Sequence, residues 1–395
     1  MPRGSYLYIF SSTDQTRNND VIHRFRQDSN FWYFTGINQS GCLFVMMKDE
    51  DGIVSEIVLT ELSSPFSELW GGQKLTVDQV MEVSGIPEVV ATDNNQFEYM
   101  EKLAGDFTEF DLLGKYGHNG KMEVALLRLI KSEWEIEQMK IAAQISLEAH
   151  TFAFTNLRNR IDHGETCFEY EFQADLEYIW NQKGLTWSYY PIVAGGDRAA
   201  KYLHYGENNR EILEGDLLLV DAACEHNYYA SDITRTYTVS GVYTESQRQI
   251  YDIVFGAQQA SIDYLRAGGR SKAEFHLVGV RFLAQKLLDL GVLGGDIESQ
   301  MTQYSMLRKS RDWKVGVNNI YTYFPHGTGH YIGLDVHDVG AGVDQLESGM
   351  CLTVEPGLYF HPDDESIPKQ YQGIGVRIED CVVVRESGVE VISRS

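Results

Sequence analysis

Short apolar runs and long amphipathic stretches divide this chain unevenly. In residues 1–120 the apolar runs are brief, and Leu7–Phe10, Cys42–Met47 and Glu56–Thr60 read as short buried strands. Phe31-Trp32-Tyr33-Phe34, just before Thr35-Gly36, groups four aromatics. Core packing is the plain reading, since aromatic rings carry large buried areas; a ligand platform is the alternative. The composition then shifts around Gly114, Gly117 and Gly120, a glycine-spaced polar stretch that reads as a boundary. The expected division is an N-terminal mixed α/β domain at 1–120 and a second domain at 121–395.

After this break the helical period takes over. Ser132-x-x-Glu135 is a capping box, followed by Ile136, Met139, Ala143 and Leu147 at helical spacing. Thr166-x-x-Glu169 reads as the start of a second helix that Gly184 ends. Thr244-x-x-Gln247 starts a third, and Ser271-x-x-Glu274 a fourth that stops at Gly291. Strand-like segments follow each helix pair. The order helix, helix, strands occurs twice, so the fold class is α+β with an architectural repeat and room for a site between the halves.

Length and composition narrow the function. A chain of 395 residues with 43% hydrophobic positions is ample for two folded domains. A net charge of −24 argues against nucleic acid and anionic membranes as partners. The cysteines, Cys42, Cys167, Cys224, Cys351 and Cys381, are odd in number and widely spaced, so they read as free thiols in a reducing compartment. Met1–Phe10 lacks the charged start and apolar core of a secretion signal, and no apolar run is long enough to span a membrane. The cytoplasm is the expected location.

The candidate chemistry sits in Phe324–Asp338, which places His326, His330 and His337 in a glycine-rich segment. Gly327 and Gly329 oppose a helix there, so a zincin arrangement is excluded. Asp221 closes the apolar strand Leu217–Val220, and Asp232 opens the β-branched run Ile233–Val239. A turn centred on His226–Asn227 sets the two aspartates directly opposite, with Cβ atoms ~5 Å apart. Two carboxylates that close repel unless a cation lies between them; taken alone, a register off by one, with both as solvated turn acids, is the plainer reading. Glu355 ends the strand Leu352–Val354 ahead of Pro356-Gly357, an unusual place for a charge in a core. Arg377 and Glu379 alternate with Val376 and Ile378, so they share a face. Taken by themselves they read as a surface pair, and a carboxylate-orienting arginine is the alternative. Four carboxylates balance two divalent cations, and such pairs activate water and polarise a carbonyl. Oxygen-rich ligation with one imidazole suits Mn²⁺, with Zn²⁺, Co²⁺ and Fe²⁺ as further candidates.

These residues carry a resemblance. The order Asp221, Asp232, His330, Glu355, Glu379 resembles the ligand set of the pita-bread metallopeptidases, the group of methionine aminopeptidase, prolidase and aminopeptidase P. Arg26–Gly36, Leu203–Tyr205, Asp232–Thr236, Gly333–Gly340, Leu352–Tyr359 and Tyr371–Asp380 are most similar to its Xaa-Pro aminopeptidase branch. The resemblance implies an N-terminal aminopeptidase-P-like domain and a C-terminal pita-bread catalytic domain. It implies that Asp221 binds one metal, that Asp232 and Glu379 bridge two, and that His330 and Glu355 bind the second. Glu355 also becomes the general base and His337 the oxyanion donor. His326 and His204 line the proline side, and Tyr189 and Arg377 support the ligands. The implied substrates are peptides with proline second, and the implied assembly is a dimer or tetramer, since Trp70 matches a tryptophan near the family's subunit interface. The N-terminus looks shortened. The loop after Gly340 is also shorter and lacks an arginine that positions longer substrates, so a Xaa-Pro dipeptidase (prolidase) is the nearest rival. A non-catalytic peptide-binding module is the rival from another class; intact metal ligands speak against it.

Overall fold

The structure, a computed structural model, describes residues 1–92, 95–105, 107–109, 120–340 and 342–394. The chain forms two compact units, Met1–Arg128 and Leu129–Ser395. The glycine-spaced stretch Gly114–Lys121 lies largely outside the described residues, as does Ala341 in the loop after Gly340.

The first unit is built on a mixed five-stranded sheet. Its spatial order is Glu88–Thr92, Val54–Glu61, Cys42–Lys48, Ser5–Phe10 and Thr108–Glu109. The two inner pairings are antiparallel and the two outer ones parallel. The central strands are apolar at successive positions because both faces are covered. Phe44 and Val58 pack with Phe31 and Val80 on one face. Leu43, Val45, Ile57 and Leu59 pack with Met100 and Ala104 on the other. The aromatic run lies in a short helix, Ser29–Thr35, with Phe31 fully buried, as core packing requires.

The second unit shows the repeated order. Helices Glu133–Asp162 and Glu169–Gln182 precede the sheet of Ile192–Gly195, Leu217–Asp221 and Thr234–Thr238. Helices Glu245–Arg266 and Lys272–Asp289 precede the sheet of Cys351–Val354, Asp380–Val384 and Val389–Val391. Ser132, Thr244 and Ser271 cap their helices as their sequence patterns require. The second helix differs: it starts at Glu169 with Phe168 as cap, and Phe168 N–H donates to Glu171 Oε2 (2.8 Å). Glu169 is diverted to a buried role. Its carboxylate accepts from Gly195 N–H (2.7 Å), Arg210 N–H (2.8 Å) and the Tyr205 hydroxyl (2.7 Å). The two halves are cross-bonded: Glu379 N–H donates to Thr234 O (3.0 Å), and Thr236 Oγ1 donates to Arg377 O (2.9 Å). All five cysteines are buried free thiols. Among the described residues no helix is long and apolar enough to cross a membrane.

The glycine-rich segment is pinned from behind by His276 on the Lys272–Asp289 helix. Thr328 N–H donates to His276 Nδ1 (3.0 Å), so Nε2 keeps the proton and faces the Tyr304 hydroxyl (2.8 Å). Burial, and then the charges of Arg308 and Lys272, push the His276 pKa down to about 3. The unfolded chain therefore takes up a proton near pH 6.5 that the folded chain refuses. The stability His276 contributes is complete above that pH and is lost as pH falls towards 3, at roughly 1.4 kcal/mol per unit. Urea titrations at pH 7.5 and 5.5, at equal metal content, should show His276→Gln closing on the parent protein by about 1 kcal/mol at the lower pH. A constant gap between the two proteins would rule this account out.

Candidate active site

Asp221 ends Leu217–Asp221, the central strand of its three-stranded sheet, and its register differs from the one expected. Asp221 pairs with Thr234, not with Asp232. The reason lies in the turn: Asn227 and Tyr228 both adopt positive φ (48° and 65°), and His226 pairs with Tyr229. The turn centre is thus one residue further on, and the ladder slips by two. A slip of two keeps Asp232 on the same face as Asp221, placing the pair diagonally rather than opposite.

Glu355 follows the Cys351–Val354 strand, where its N–H donates to Thr328 O (2.7 Å). That bond ties Glu355 to the segment carrying His326 and His330. Arg377 and Glu379 do share a face, but it is an interior one. They are 5% and 2% exposed, which removes the surface-pair reading.

Together these elements enclose a cleft of about 190 Å³. Asp221, Asp232, Glu355, Glu379, His204, His326, His330, His337 and Arg377 all line it. Tyr189 stands behind, its hydroxyl donating to Asp221 Oδ1 (2.6 Å). One ligand atom each of Asp232, His330 and Glu379 lies within 4.8 Å of the others. His330 Nε2 is 3.4 Å from Asp232 Oδ2 and 3.6 Å from Glu355 Oε1. His330 Nδ1 bonds Tyr331 O (2.9 Å), which leaves the Nε2 lone pair facing the carboxylates. His337 stacks on His330 with centroids 3.9 Å apart.

The electrostatics fit a cation site. Burial, then the charges of Asp221 and Glu355, hold Asp232 well above the usual carboxylate range. Burial, then Asp232, does the same to Glu379. Burial, then Glu379, pushes Glu355 up to about 8. Divalent cations among these oxygens reverse that balance, and a set of carboxylates with one oriented imidazole is the donor chemistry they take. His326 and His337 are pushed down to about 3 and 4, chiefly by burial, with Arg377 and His330 respectively as the next causes.

Several contributors escaped the sequence reading. The Tyr359 hydroxyl lies 2.8 Å from His326 Nε2 and accepts from Arg377 (3.0 Å). Thr234 Oγ1 donates to Glu379 (2.7 Å) and accepts from Arg377 Nε (3.2 Å). Lys131 pairs with Asp338 at 2.8 Å, both side chains 1% exposed, and so fixes the residue after His337. Tyr359 lies in a recognised motif, but nothing marked its hydroxyl. Lys131 carried no signal, because its partner is 207 positions away.

This cleft on a repeated helix–sheet frame defines a metallopeptidase of the pita-bread type. The chain belongs to metallopeptidase family M24, whose pattern matches residues 137–386, and residues 1–107 match the aminopeptidase P N-terminal domain. It is 34% identical to the Xaa-Pro aminopeptidase of Escherichia coli K12, over 100% of this chain and 92% of that protein. It is 36% identical to the Xaa-Pro aminopeptidase of Haemophilus influenzae, over 100% and 91%. The structure is similar to a variant of Escherichia coli aminopeptidase P in complex with substrate, with a TM-score of 0.85, 34% identity and coverage of 100% and 91%. It is also similar to the zinc-substituted Escherichia coli enzyme in complex with product, with a TM-score of 0.86, 33% identity and the same coverage.

Arg377 spans three partners inside the protein: Asp221 (2.6 Å), Tyr359 and Thr234. Arg377→Ala leaves Asp221 without its cation and should cost about 3–5 kcal/mol of stability. Arg377→Lys should recover little, because one ammonium cannot reproduce the guanidinium fork. Chemical denaturation of the metal-free proteins tests both; a lysine variant as stable as the parent would refute the three-partner role.

Proposed function

We propose that this protein removes the N-terminal residue of peptides whose second residue is proline, as a metal-dependent aminopeptidase with domains at 1–120 and 121–395. The observation that carries the reading is the convergence of Asp221, Asp232, His330, Glu355 and Glu379 on one small cleft, with His337 stacked beside His330. Asp221 would hold one divalent ion and His330 and Glu355 a second, with Asp232 and Glu379 serving both. Mn²⁺ is the favoured metal, on its preference for oxygen-rich ligands. Bound there, the ions supply Lewis acidity that activates water and polarises the scissile carbonyl.

The chain's own residues do the rest. Glu355 Oε takes the proton of the attacking water and passes it to the leaving proline nitrogen. His337 donates an N–H to the oxygen that gains negative charge. The acidic cleft receives the peptide's ammonium end. His326, held by Tyr359, and His204 flank the pyrrolidine ring, whose tertiary amide distinguishes an X-Pro bond from any other. Arg377 and Tyr189 keep Asp221 aimed. Exposed Phe66, Leu69 and Trp70 support a dimer or tetramer through the first unit, and the cytoplasm remains the expected location. A prolidase is the second reading, favoured by the short loop after Gly340.

Protein stripped of metal and reloaded with Mn²⁺ should cleave Ala-Pro-Ala at its X-Pro bond. Cleavage of Ala-Pro alone would make it a prolidase. Glu355→Gln should abolish turnover while keeping the fold, and His337→Ala should slow it by about 10²–10³-fold. Near-normal rates in either variant would overturn the role assigned to that residue.

A further inference from the structure

Glu355 and Glu379 both sit where the strand ladders break. Glu355 falls between the strands Cys351–Val354 and Gly357–Tyr359, and Glu379 between Gly375–Arg377 and Asp380–Val384. On one side the ladder ends at the pair Val354 and Asp380, and on the other at Gly357 and Arg377. One long bond crosses the break, from Ile378 N–H to Pro356 O (3.3 Å).

A single side chain bridges this break. Gln258, on the helix Glu245–Arg266, is wholly buried and lies outside the lining of the cleft. Its Nε2 donates to Val354 O (3.2 Å), Ile378 O (3.3 Å) and Asp380 Oδ2 (3.0 Å), so two N–H groups serve three acceptors. Those two carbonyls belong to the residues immediately before Glu355 and Glu379. The same two peptide units are held at their other ends: Glu355 N–H donates to Thr328 O (2.7 Å), and Glu379 N–H to Thr234 O (3.0 Å). A peptide unit is planar, so bonds at its carbonyl and at its N–H together fix its orientation, and with it the place of the next Cα. The amide's own orientation is dictated by its neighbours. Arg394 can only donate, and it bonds Gln258 Oε1 (2.6 Å), which leaves Nε2 for the acceptors. Asp380, 1% exposed, is held in turn by Arg394 (2.6 Å), Arg235 (2.9 Å) and Ser393 Oγ (2.9 Å). An apolar side chain of the same size would fill the space but leave both carbonyls without this donor inside the protein.

We propose that Gln258 is a positioning residue for the metal centre: its one amide holds Glu355 and Glu379 at the spacing that lets both ligate the second divalent ion. This rests on the two-metal reading of the cleft and deepens it. Gln258 touches neither ion nor substrate, and it acts through the backbone from which the two glutamates extend.

The test is titration calorimetry of Mn²⁺ into the metal-free full chain, with no peptide present. Gln258→Met keeps the length of the side chain and removes both N–H groups. It should raise the dissociation constant of the weaker Mn²⁺ step about 10- to 100-fold. With both ions bound, the spin coupling between them in the electron paramagnetic resonance spectrum should change, and kcat for Ala-Pro-Ala should fall while KM stays within about threefold. Leu287→Ala, in the same hydrophobic core but outside the cleft lining, lowers stability without touching either peptide unit, and its Mn²⁺ binding should match the parent. Arg394→Gln, at a partly exposed position, frees Gln258 Oε1 and should weaken the same step by a smaller factor; it decides the matter if Gln258→Met does not fold. Unchanged Mn²⁺ binding in Gln258→Met, or in Arg394→Gln where the first is unfolded, would overturn the inference. An equal loss in Leu287→Ala would also overturn it, because lowered stability alone would then account for the effect. A parent chain that takes up fewer than two Mn²⁺ would overturn the two-metal reading and the inference with it. A parent that binds two ions yet cleaves no Xaa-Pro peptide would overturn the aminopeptidase reading alone, and the calorimetry would still decide the role of Gln258.

Discussion

Four carboxylates in a cleft of about 190 Å³ repel one another, and the catalytic unit is arranged around holding them there. Three of the four acids are each restrained by a neighbour from a different element. Asp221 is held by Arg377 and Tyr189, Glu379 by Thr234, and Glu355 by its backbone bond to Thr328. Carboxylates buried this closely raise one another's pKa, so their repulsion is relieved either by protons they retain or by cations among them. The cross-bonds between the two sheets resist the separation that repulsion would otherwise drive.

Much of this was legible in the residues, for definite reasons. Helix starts are local events, so the capping boxes at Ser132 and Thr244 could be read directly. Thr166 misled because Glu169 was needed elsewhere: three donors from distant segments outcompete one local cap. The acids and histidines that line the cleft were readable by type and order, yet the pairing of Asp221 was not. Turn position depends on which residues accept positive φ, and Tyr228, an uncommon residue there, does so. The error left both aspartates on one face because strand faces repeat every two residues. Arg377 and Glu379 show the converse limit. Alternation revealed a shared face, but only the packed structure shows that the face is interior.

The contributors with no sequence signal are those whose partners lie far along the chain. Lys131, His276 and Tyr359 are ordinary residues in local context. Lys131 gains its role when the second half of the unit meets the first, whereas His276 and Tyr359 gain theirs as the second half packs. Polar groups buried this way are satisfied only in the assembled fold, and motif reading has no access to them.

The Lys131–Asp338 pair bears on how the molecule comes into being. It joins residues 207 positions apart, and each member is buried. The cleft is likewise split, with Asp221 and Asp232 in one half and His330, Glu355 and Glu379 in the other. A chain leaving the ribosome has made both aspartates long before it makes any of the three later residues. Contacts of such long range form late, after the entropy of closing the intervening chain has been overcome. A fragment that ends before His330, or a chain nicked between the halves and separated, therefore holds only part of the cleft.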